Sequence, residues 1–189
     1  MNAAHQKRER GFTLIETLTV VFISSLIILA VFTLYANYEN LLGTQGALID
    51  TAGSASAVVT DIQNSILQAT HVVASHSFSG TNYTSTTTSL VLEIPSRTSG
   101  GDIVAGSYDY IAYYASSTGL YRTVDAAIGS SRQSGTRSFS HTLDTLAFTY
   151  NDSTFASVSK VTIDITTEEV VKQKSTSAHL NQQMYLRNF

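Results

Sequence analysis

From Phe12 to Tyr35 the chain runs 24 residues with a single charged side chain, Glu16. A helix rises about 1.5 Å per residue, so this run crosses a hydrocarbon core of about 30 Å. Lys7, Arg8 and Arg10 precede it, and basic flanks stay cytoplasmic, which places residues beyond about 36 outside the cytoplasm. A cleaved secretory signal would have a shorter apolar region followed by a small-residue cleavage site, and "LYANYEN" fits such a site poorly. The run is therefore read as a retained membrane helix. The one carboxylate near its start is the anomaly, because a charge at the edge of the hydrocarbon costs about 2–3 kcal/mol unless paired.

The 189 residues allow one domain plus this anchor. A net charge of −3 argues against a general nucleic-acid binder. The absence of cysteine excludes disulfides, thiolate metal sites and a cysteine nucleophile. Beyond residue 75 the chain is rich in Ser, Thr, Gly and Tyr, a weakly charged mixture suited to an exported domain of strands and loops.

Gly11 lies between Arg10 and Phe12, on the cytoplasmic side of the apolar run. The order of basic residues, Gly11, Phe12, Thr13, Leu14, Ile15, Glu16 and then an uninterrupted apolar helix resembles the prepilin signature of type IV pilins and type II secretion pseudopilins. That resemblance implies cleavage after Gly11 by a prepilin peptidase, N-methylation of Phe12 and retention of the helix for assembly. It also gives Glu16 a partner, the new α-amine on Phe12 of a neighbouring subunit. Each charge then offsets the desolvation of the other. Many major pilins carry a proline further along the apolar segment; Thr33 stands in that region here, a departure that favours a minor subunit. "YIAYYASSTGLYRTV" and the closing "LRNF" resemble J-type minor pseudopilins and related minor pilins.

Leu41, Leu48, Ala52, Ala55, Val58, Val59, Ile62, Ile66 and Val73 recur at spacings of three and four, which predicts an amphipathic continuation of the helix over residues 36–75. Gly43, Gly46 and Gly53 weaken it, and two helices broken near Gly43–Gly46 are the alternative. Residues 76–89 read as a Ser/Thr-rich loop. Strands are expected at 89–94, 108–116, 119–124, 144–152, 157–168 and 179–189, with "EEVVKQKS" as a charged turn before the last. The division is a leader (1–11), a transmembrane assembly helix (12–35), its amphipathic continuation (36–75) and an antiparallel β-rich domain (76–189). The fold class is α+β.

Little in this domain points to chemistry. His5, His71, His76, His141 and His179 lack metal-ligand spacing and read as surface histidines. No nucleophile motif accompanies the serines, and "SGGDIVAG" (99–106) lacks a P-loop lysine and reads as a surface turn. Asn151 and Asp152 in "NDST" offer oxygen donors but no calcium-loop spacing. Arg122, Arg132 and Arg137 suggest a modest basic patch about a 125–137 loop, weighed against scattered solvated arginines. Tyr108, Tyr110, Tyr113 and Tyr114 read as strand packing. The expectation is a non-enzymatic minor pilin or pseudopilin without cofactor or metal. Its implied partners are prepilin peptidase, other subunits, and an inner-membrane platform with its ATPase. A membrane-anchored binding module for DNA uptake or adhesion is the second reading.

Overall fold

The computed structural model describes residues 13–116, 119–140 and 142–187. Contacts divide the chain into two units, one ending at Gly43 and one beginning at Thr44. A single 53-residue helix, α1 (Leu14–Ile66), contributes to both. Its glycines do not interrupt it, and the alternative of two helices is not what the chain adopts.

In the first unit every side chain from Thr13 to Leu42 is exposed, including Phe22, Ile28, Phe32 and Leu34. This helix is long and apolar enough to cross a membrane. In the second unit α1 buries Ala47, Thr51, Ala55, Val58, Val59, Ile62, Ser65 and Ile66. That three-and-four spacing puts one stripe of the helix against sheet and leaves Ile49 and Asp50 outside.

Among the described residues ten strands follow: β1 (His71–Val72), β2 (Ser75–Phe78), β3 (Thr81–Thr84), β4 (Ser89–Arg97), β5 (Ile103–Ser116), β6 (Gly119–Asp125), β7 (Gly135–Ser140), β8 (Leu143–Tyr150), β9 (Lys160–Val171) and β10 (Lys174–Tyr185). They form a five-stranded sheet in the order β1-β4-β5-β6-β7, a three-stranded sheet β10-β9-β8, and the hairpin β2-β3. All the pairings are antiparallel. Leu90, Leu92 and Ile94 of β4, Ile111 and Tyr113 of β5, Phe148 of β8 and Val161, Ile163 and Ile165 of β9 join the buried helix face in one core. A long helix packed on antiparallel sheets makes the α+β class expected from the sequence.

Several boundaries differ from expectation. The helix ends at Ile66, not near residue 75. Gln68 and Ala69 donate to the carbonyls of Ser65 and Ile66, a tightened last turn. Thr70 and Val73 then donate to Glu93 and Val91, which draws the β-branched pair Val72–Val73 onto β4. Val73 fits the helical spacing, but strand pairing takes it.

The expected loop at 76–89 contains the β2–β3 hairpin, closed by Ser79 and Gly80, both at positive φ. Two left-handed residues match the twist of a tight hairpin. β5 begins at Ile103, so "SGGDIVAG" is half turn and half strand. Gly135–Ser140 is a strand where a loop was expected to run to 137. "EEVVKQKS" is mostly strand: only Lys172 and Gln173, at φ 48° and 66°, make the turn between β9 and β10. The last strand accordingly starts at Lys174 and ends at Tyr185.

Candidate functional site

Gly11 and Phe12 lie outside the described residues, so the site begins at Thr13. The Thr13 N–H and its hydroxyl each donate to a Glu16 carboxylate oxygen at 2.9 Å. The Glu16 N–H reaches back to Thr13 Oγ1 at 3.3 Å. This reciprocal arrangement is a capping box, which satisfies donors that the first helical turn otherwise leaves open. Glu16 therefore has a local role the sequence reading did not assign it, although Thr-x-x-Glu before an apolar run is its signal. Leu14 and Ile15 stand at the helix start, 86% and 70% exposed.

Further along the apolar helix the hydroxyls turn inward. Thr17, Thr19 and Thr33 donate to carbonyls one turn back, and Ser25 to Phe22. Hydroxyls bonded to their own helix suit an apolar surrounding, where an unmet donor would be costly. Glu16 is then the sole charge on α1 between Leu14 and Tyr38.

The polar groups of the second unit are joined in structural ties. Asp109 is fully buried and accepts from Ser96 Oγ (2.8 Å), Ala127 N (2.9 Å), Ser130 Oγ (2.7 Å) and Arg132 Nη1 (2.6 Å). Burial works against its charge, but Arg132, Ser130, Ala127 and Ser96 outweigh burial and hold the carboxyl below its ordinary value. Arg132 also reaches Pro95 O and Gln68 Oε1, both at 2.9 Å, and so links the 126–132 loop, β4 and the segment after α1.

A second tie pins helix to sheet. Asp61 of α1 accepts from Tyr113 and from Arg122 Nη1 at 3.1 Å, and Ser65 meets the same phenol at 2.8 Å. Burial, then the Asp61 charge, raise the Tyr113 phenol far above its ordinary value.

Arg122 and Arg132 are thus bound to carboxylates, and no three-arginine patch forms. Of the tyrosines, Tyr113 points into the core. Tyr110 and Tyr114 face the other side of the sheet, beneath the β2–β3 hairpin. There His76 stacks on Tyr110 at 3.6 Å and Tyr83 meets Tyr114 at 4.6 Å.

His71 lies 3.6 Å from Glu93, His76 2.9 Å from Asp125 and His179 2.9 Å from Asp164. His5 and His141 fall outside the described residues. Among the described residues no group of three or more His, Asp or Glu could hold a metal. Asn151 Oδ1 accepts from Ser159 N and Lys160 N, and Asp152 Oδ1 from Thr154 N, so both close their own turn.

Among the described residues nothing inside the chain accounts for the N-terminal features: a capped carboxylate and a fully exposed apolar helix, preceded in the sequence by a basic flank. Residues 6–32 match the family model described as the prokaryotic N-terminal methylation motif. The N-terminal segment is therefore of prepilin type, and with its apolar helix it fits a membrane-anchored protein. The match covers well under half of the chain. No curated protein and no solved structure gives a significant match.

Proposed function

We propose that the protein is a structural subunit, a minor pilin or minor pseudopilin, of a type IV pilus-like or type II secretion fibre. Prepilin peptidase cuts after Gly11 on the cytoplasmic side, Phe12 becomes the N-methylated terminus, and the soluble unit lies beyond the membrane. The observation that carries this reading is the placement of Glu16 at the start of an exposed apolar helix within the methylation motif. Thr13 donates its N–H and its hydroxyl to one oxygen of the carboxylate that would meet the α-amine of a neighbouring Phe12. A carboxylate has room for both, since its two oxygens offer about four acceptor sites. The second unit supports a structural role too, because its charges are spent on internal ties: Asp61 holds α1 to the sheet, and the buried Asp109 holds the 126–132 loop to β4 and β5. Assembly would need a cytoplasmic ATPase and a platform protein.

Glu16→Val tests the reading in intact cells. The variant should still be cleaved after Gly11 but be recovered with neighbouring subunits at less than a tenth of the wild-type yield. Wild-type recovery would contradict the assembly role of Glu16.

A further inference from the structure

Arg122 of β6 and Arg137 of β7 are direct cross-strand neighbours, on the face of the sheet that packs against α1. Opposed side chains of an antiparallel pair stand about 5 Å apart at Cβ, and like charges so placed repel unless something neutralises them. Asp61 neutralises one guanidinium, at 3.1 Å from Arg122 Nη1. Arg137 has no acid partner among the described residues; it lies over the Phe139 ring, 5.3 Å from its centre. The Arg122 Nε is buried and has no hydrogen-bond partner. An orphaned buried donor on a charged group is costly. Both arginines line one cleft of about 350 Å³ at the sheet's β7 edge, with Val124 as its apolar wall and Gln133 at its rim.

We infer that this cleft is a binding site for one carboxylate, carried by an acidic side chain of a neighbouring subunit, which Arg137 grips with help from Arg122. Two guanidiniums and Asp61 sum to one positive charge, which suits a single carboxylate. A nucleic acid would present a row of phosphates and require further free cations beside these. Arg132 is already held by Asp109, and Arg97 sits on the Gly101 carbonyl. The planar fork of arginine matches a carboxylate's two oxygens. The position of the cleft, at an open sheet edge flanking the helix, lets a second subunit reach it. This inference rests on the assembly reading for the identity of the ligand's carrier, and not for the existence of the site.

Two measurements on the full-length chain separate them. In detergent-solubilised protein with labelled arginine, sodium acetate should shift the Arg122 Nε–H resonance saturably, sodium chloride at equal ionic strength should not, and Arg137→Ala should abolish the shift. In cells, a photo-cross-linker at Gln133 should join the protein to a neighbouring subunit, and Arg137→Glu should cut that product at least tenfold with cleavage after Gly11 unchanged. Arg137 is exposed, so an unaltered thermal midpoint shows that the variant is folded. No acetate-specific shift, or wild-type cross-linking by Arg137→Glu, overturns the site. Salt-sensitive binding of duplex DNA that competes with acetate overturns the carboxylate assignment. An intact acetate response in a chain that never cross-links to another subunit sinks the assembly reading and this carrier, leaving only the anion site.

Discussion

Replacing Asp109 by alanine tests the idea that the second unit spends its buried charge on rigidity. The substitution removes an acceptor from two hydroxyls, one backbone N–H and the Arg132 guanidinium at once. Breaking a buried ion pair by deleting one partner costs about 3–5 kcal/mol. Arg132 is 18% exposed and keeps Pro95 O and Gln68, which places the loss near the lower end, about 3 kcal/mol. For a unit of this size that lowers the thermal midpoint by about 10 °C.

The pH dependence has a definite sign. The folded carboxyl lies below its ordinary value of 3.8, so its contribution is complete above that pH and is lost as pH falls through the lower folded value. Circular dichroism melts of the full-length protein in detergent should show wild type weakening in that acid range and Asp109→Ala weakening less. A midpoint change under about 3 °C, or equal acid sensitivity in both proteins, would refute the reasoning. The double variant Asp109→Ala/Arg132→Ala should cost less than the sum of the singles, because the two side chains share one interaction.

Other expectations follow from the same hydrogen bonds. Thr13→Val removes the capping hydroxyl but leaves the Thr13 N–H bond to Glu16. Helix-end stability should fall by about 1 kcal/mol, seen as roughly fivefold faster amide exchange over the first turn of α1. Tyr113→Phe deletes the phenol held by Asp61 and Ser65, and should lower the stability of the second unit by about 1–2 kcal/mol in a denaturant titration, the orphaned Ser65 included. Burial and Glu93 push Tyr110 up to about 12, and burial and Tyr83 push Tyr114 to about 12. Phenols that ionise later when folded stabilise the protein below the unfolded value of 10.0. That stability drains away as pH rises from there toward 12, and ultraviolet titration should show the tyrosinates appearing with alkaline unfolding.

The elements read from sequence were those with a strong period or an unbroken run. The 24 residues from Phe12 allow only a helix, and the clean alternation of Val161, Ile163 and Ile165 marks β9 without help from its neighbours. The helix C-terminus was hidden because Ile66 and Val73 keep helical spacing; the pairing of Thr70 and Val73 with β4 is a long-range fact. β2, β3 and β7 are built from Ser, Thr, Asn and Gly with few apolar anchors, and they exist as strands because partners lie beside them.

At the N-terminus, "GFTLIE" was legible because its order is specific, whereas the capping role of Glu16 was obscured by the larger question of its charge. The arginines show the opposite limit. Arg122, Arg132 and Arg137 look equivalent in sequence, and only the fold pairs Arg132 with the buried Asp109 and Arg122 with the half-buried Asp61, and brings Arg137 beside Arg122.

The proposed role of the N-terminal segment is processing and assembly, beyond plain anchoring. The mass of the protein's N-terminal peptide, measured from cells with and without prepilin peptidase, tests it most directly. The mature chain should begin at Phe12 with one added methyl group, and an unprocessed chain should retain residues 1–11 when the peptidase is absent. Retention of residues 1–11 in peptidase-proficient cells would contradict it.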